Sequence, residues 1–138
     1  MRRALIAAAL LCGCDSGTPT DRDAVALTVD VWGGYHMNRF VDRKLAEAVP
    51  IGYTDDLPAV CGPDSEAYCG CFVPARQAIF LDTTCPADEL VWRTIPHEMG
   101  HVLQWYEQGG KQDPGHDDET TWQGVVPDAQ EALKAWGQ

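Results

Sequence analysis

His97-Glu98-Met99-Gly100-His101 sets two imidazoles four residues apart, with a carboxylate just after the first. On an α-helix this spacing puts both histidines on one face, about 40° apart around the axis. Both can then reach one ion at roughly 2.0–2.1 Å, the distance zinc takes to an imidazole nitrogen. Glu98 points to a neighbouring edge of that face, where it can contact a metal-bound water without being a ligand. Zinc lowers the pKa of such a water to about 7, and a carboxylate beside it can take the proton and pass it to a leaving group. Val102, Leu103, Trp105 and Tyr106 continue the stretch as a buried helix would, and Gly109-Gly110 supplies a stop signal.

Two histidines do not complete such a site, because a catalytic zinc normally has three protein ligands and an open position. The downstream candidates are His116, Asp117, Asp118 and Glu119. His116 is favoured. It is the only histidine after the motif, and Pro114-Gly115 can turn the chain back just before it. Asp117 or Asp118 could orient its ring through the other nitrogen. His36 reads as a turn or cap residue rather than a ligand. Tyr106, Tyr53 and His36 are candidate oxyanion donors, and nothing in the sequence ranks them.

The motif resembles the zincin superfamily of zinc metallopeptidases. The resemblance rests on His97, Glu98 and His101, with Gly100 and the apolar tail common among zincins, and covers about this helix. It implies one zinc ion, a peptide or protein substrate and Glu98 as general base. The metzincin extension would put Gly at 104 and His at 107, whereas Gln104 and Glu107 stand there. On a continuing helix Glu107 points away, about 240° beyond His101. A gluzincin-like site would instead take Glu119 as its third ligand.

The elements that must hold these residues come from a chain of 138 residues, read as one domain with a real core. Its net charge of −11 repels phosphates and argues against nucleic-acid binding. At the N-terminus, Arg2-Arg3 precede the apolar run 4–11, which is too short to span a bilayer, and the stretch reads as an export signal. Leu11-Cys12-Gly13-Cys14 resembles a bacterial lipobox, with Cys14 as the lipidated residue and Cys12 as its departure from the pattern. The expected organisation is a signal peptide over 1–13, a flexible tether over 14–23 and one domain over 24–138. The chain would be anchored by lipid to a membrane of the cell envelope.

Alternation of Val25, Leu27, Val29 and Val31 predicts a strand over 24–32. Met37, Phe40, Val41, Leu45, Ala48 and Val49 predict an amphipathic helix capped by His36 or Asn38 and stopped by Pro50. Ile51 to Tyr53 reads as a short strand, and 57–76 as an irregular loop. Residues 77–82 read as a further strand, either an edge along a substrate cleft or an interior strand. Pro86 opens a helix running to Gln108 and kinked at Pro96, with Thr84 near its start. A last helix from about Pro127 would share Val126, Ala129, Leu133 and Trp136 on one face. The fold class is α+β: a small mixed sheet against the motif helix, with helices before and after. Cys61, Cys69, Cys71 and Cys85 remain after processing, an even number that predicts two disulfides of open pairing.

The sequence thus supports a membrane-anchored zinc metallopeptidase. The alternative is a non-catalytic envelope lipoprotein whose metal site is structural or binds a partner; only the enzyme needs Glu98.

Overall fold

The structure, a computed structural model, describes residues 17–35 and 42–136. The signal segment, Cys14, His36, Asn38 and the first residues, 37–41, of the predicted helix 37–49 lie outside these residues. The architecture is mixed α+β. Helix α1 (Asp21–Tyr35) leads to the short α2 (Arg43–Glu47), strand β1 (Ile51–Thr54) and α3 (Leu57–Cys61). A 3-10 turn (Pro63–Ala67), β2 (Gly70–Val73), a second 3-10 turn (Pro74–Arg76) and β3 (Ala78–Asp82) follow. One helical run then comprises α4 (Ala87–Glu89), a π turn (Leu90–Thr94) and α5 (Ile95–Glu107). A second π turn (Thr121–Val125) continues directly into α6 (Val126–Trp136).

The strand predicted over 24–32 is a helix. Its buried residues are Ala24, Val25, Thr28, Val29 and Trp32, which is helical rather than alternating spacing. Thr20 and Asp23 form a reciprocal cap, each side chain accepting the other's peptide N–H at 3.2 and 2.8 Å. The tether reading therefore fails from residue 21 onward. Leu27 and Val31 are partly buried against the core, so the valine-rich run satisfies both periods, and packing on α5 and α6 decides for the helix.

In α2 the cap is Asp42, whose side chain accepts the N–H groups of Lys44 and Leu45. Leu45, placed by sequence on the buried stripe, is 47% exposed, while Ala46 and Val49 are buried. Arg22 on α1 reaches across to the carbonyls of Glu47 and Val49 and satisfies the end of this short helix.

The sheet order is β1-β3-β2, with β1 parallel and β2 antiparallel to β3. Strand 77–82 is therefore the central strand, and the cleft-edge alternative for it is excluded. The predicted loop 57–76 contains α3, a 3-10 turn and the edge strand β2. Its irregular appearance in sequence reflects elements only three to five residues long, stapled by disulfides. Cys61 pairs with Cys71 and Cys69 with Cys85. Two such bridges suit an oxidising, exported environment. No helix among the described residues is long and apolar enough to cross a membrane.

The core gathers Val25, Val29 and Trp32 of α1, Ile79 and Leu81 of β3, and Ile95, Met99, Val102 and Leu103 of α5. Leu133 of α6 closes it, while Trp136 is 41% exposed and lies off the predicted face.

Candidate metal centre

Pro96 cannot donate a backbone hydrogen bond, and it sits at the start of α5. The turn before it is π-helical, with Ile95 N–H bonded to Leu90 O five residues back. That wider turn joins α4 to α5, so the run predicted as a proline-kinked helix is continuous through a π turn. Thr84 does not cap it; its N–H and hydroxyl bond Asp82, and Pro86 takes the cap position without a side-chain bond. The stop is as expected. Gly109 and Gly110 take φ of 64° and 96°, and Gly110 N–H bonds Trp105 O at 2.8 Å, a Schellman ending.

His97 and His101 share one face of α5, their ring centroids 5.2 Å apart. The loop after Gly110 returns His116 to the same face, with centroids 4.9 Å from His97 and 5.1 Å from His101. One ring nitrogen from each of the three lies within 4.8 Å of the other two, a group that could hold a metal ion. The Nε2 atoms of His101 and His116 are 3.4 Å apart. Two nitrogens bound to one tetrahedral zinc at about 2.0–2.1 Å would be separated by roughly 3.3–3.4 Å, so this edge fits the ion.

Electrostatics favour the neutral, ligating form of the rings. Burial, and then repulsion from His116, lowers the His97 pKa to about 4. Burial, helped by His97 and His116 and opposed by Asp113, lowers that of His101 to about 3. Glu98 is 6% exposed, and burial raises its pKa to about 8, partly offset by a hydrogen bond from Phe72 N–H.

The return of His116 is built on two aspartates and a glutamine. The Asp113 carboxylate accepts peptide N–H groups from Gly115, Asp117 and Asp118 at 2.7–3.0 Å. Asp118 accepts from Thr120 and Thr121. Gln104, 1% exposed on α5, accepts Asp113 N–H at 2.5 Å and hydrogen-bonds the Asp118 carboxylate. The loop is thereby tied to the helix that carries the other two histidines. His116 itself takes φ of 56°, a left-handed conformation uncommon outside glycine and held here by the turn.

Several expected contacts are not made. Neither Asp117 nor Asp118 hydrogen-bonds the His116 ring among the described residues; the Asp118 carboxylate is committed to Thr120 and Thr121, and Asp117 joins the turn through its backbone. Glu119 is exposed and is not in the cluster. Tyr106 donates its hydroxyl to Gln77 at 2.9 Å, Tyr53 lies on the far strand β1, and neither borders the centre. Gln104, Asp113 and Trp122 went unrecognised in the sequence. Asp113-Pro-Gly is a legible turn signal for Asp113, whereas nothing local marks Gln104 or Trp122.

The histidines and Glu98 line a cavity of about 530 Å³, bordered also by Tyr68, Phe72, Arg93, Gln112 and Gln130. Its other wall is β2. Asp82 N–H bonds Cys69 O at 2.8 Å, so Cys69 faces β3, and alternation turns the peptide groups of Gly70 and Phe72 outward. One of these, Phe72 N–H, is the group that meets Glu98. An added Cβ at Gly70 would lie 2.7 Å from the Thr94 side chain, so only glycine lets β2 approach the motif helix this closely.

Comparisons with known protein families, with curated proteins and with solved structures find no significant match.

Proposed function

We propose that the protein is an exported zinc metallopeptidase, tethered to a membrane of a bacterial envelope through Cys14. The observation that carries this reading is the convergence of His97, His101 and His116 beside a buried Glu98, at a cavity walled by an edge strand. Three neutral imidazoles and no carboxylate suit zinc among common metals, and exclude a calcium or magnesium site. When bound, zinc would supply Lewis-acid polarisation of the scissile carbonyl and acidify water, and its charge would favour the carboxylate form of Glu98. Glu98 then takes a proton from water and returns it to the leaving amine. The Phe72 N–H holds that carboxylate in place while it is charged. The other outward peptide groups of β2, those of Gly70 and the Phe72 carbonyl, offer hydrogen bonds to an extended peptide.

The test is metal content and cleavage of a peptide library by wild type and Glu98→Gln. The variant is expected to keep zinc and to lose cleavage by at least about 100-fold. Undiminished cleavage by the variant would remove the enzyme assignment and leave the non-catalytic metal site.

A further inference from the structure

Trp122 lies against all three imidazoles. Its ring centroid is 4.9 Å from that of His97, 4.5 Å from His101 and 4.4 Å from His116, with interplanar angles of 50°, 60° and 80°. The side chain is 8% exposed. It enters from the π turn Thr121–Val125, whose start is pinned where Trp122 N–H bonds Asp118 O at 2.9 Å. Space for it is left by Gly100: a Cβ there would lie 2.8 Å from Trp122 and from Val126. The small residue between the two motif histidines therefore has a steric reason in this chain.

The indole is not placed for its polar atom. Its Nε1 is buried with no hydrogen-bond partner among the described residues, and the same holds for His101 Nδ1. A metal-binding histidine is usually oriented by an acceptor on its second nitrogen. His101 has none, so packing must set its plane. The three rings come from two segments, and each can turn about its side-chain bonds unless something blocks it. Trp122 is positioned to block all three at once.

We infer that Trp122 is a positioning residue, the aromatic floor that fixes the planes of His97, His101 and His116 so that their nitrogens converge on one metal ion. This rests on the metal-centre reading above. Trp122→Phe keeps an aromatic floor and should bind zinc within about threefold of wild type. Trp122→Ala should weaken zinc binding, read by competition with a chelating dye, by roughly 10–100-fold, the usual scale for groups that orient metal ligands. The visible absorption of the cobalt(II)-loaded protein should also change in Trp122→Ala and be preserved in Trp122→Phe. Trp122→Leu serves if the alanine variant does not fold, with the same loss expected. Leu133→Ala, at a residue 1% exposed on α6 and outside the cluster, is the control for general destabilisation. It should melt earlier yet retain zinc affinity and the cobalt spectrum. Wild-type affinity and spectrum in folded Trp122→Ala or Trp122→Leu would overturn the inference while leaving the metal centre intact. A wild-type protein that binds no zinc or cobalt would overturn both.

Discussion

The two walls of the cavity are held in different ways. The wall formed by the end of the 3-10 turn Pro63–Ala67 and by β2 is covalently stapled, by Cys61–Cys71 to α3 and by Cys69–Cys85. The wall that delivers His116 has no covalent link and relies on hydrogen bonds centred on Asp113, Asp118 and Gln104. Short strands and turns bury too little apolar area to order themselves, so β2 needs the bridges. The His116 loop can be tied to one buried side chain on α5, and a bound ion would tie it further. The stapled wall should therefore respond to reductant and the hydrogen-bonded wall to chelator.

The sharpest separation of the two is His116→Ala. It should lower zinc affinity by more than about 100-fold, beyond the effect of losing an orienting group. Glu119→Ala should bind like wild type, and dialysis against competing chelator would read both. Wild-type affinity in His116→Ala together with loss in Glu119→Ala would reassign the third ligand to Glu119.

Reduction of both disulfides acts on the other wall. Each closes a short loop, with sequence separations of 10 and 16, and the chain-entropy model assigns about 3 kcal/mol to each. The melting temperature should fall by ten degrees or more, while the reduced protein, below its new midpoint, keeps most of its zinc affinity. Loss of zinc affinity in step with reduction would show that the walls are coupled.

Gln104→Ala removes the tie between α5 and the His116 loop and leaves the Asp113 N–H without its acceptor. A cost of about 1–3 kcal/mol in stability is expected, with zinc affinity reduced about tenfold. Calorimetry with and without zinc would separate the two effects. An unchanged affinity would mean that the loop needs no tie to the helix.

The smallest effect belongs to Asp82, at the end of β3 beside Cys85. Hydrogen bonds from the Thr84 hydroxyl and N–H hold its carboxyl below the usual value of 3.8. A lowered folded-state pKa stabilises the fold above 3.8, and that contribution is lost as pH falls through the folded value. Asp82→Asn should lower the midpoint by about 1 °C at pH 6, and the difference from wild type should shrink as pH falls below 3.8. A difference that grows on acidification would contradict the sign.

The chemistry of the motif was legible because it depends on a single helical turn. His97 and His101 share a face wherever 95–107 is helical, and Gly109-Gly110 ends that helix by local backbone geometry. Strands 51–54 and 78–82 were legible as short apolar runs between turn residues, and four cysteines behind a stretch that reads as an export signal already implied two bridges. Thr20 and Asp23 also form a local signature that opposes a strand over 24–32. Long-range contact decided the rest. Val25, Leu27, Val29 and Val31 fit a strand as well as a helix, and the choice lies with the surfaces of α5 and α6. Which cysteines pair, and which strand is the edge, follow from chain segments meeting in space. The ring of Trp122 beneath three histidines carries no sequence spacing at all: it exists only because a π turn on one segment packs against Gly100 on another.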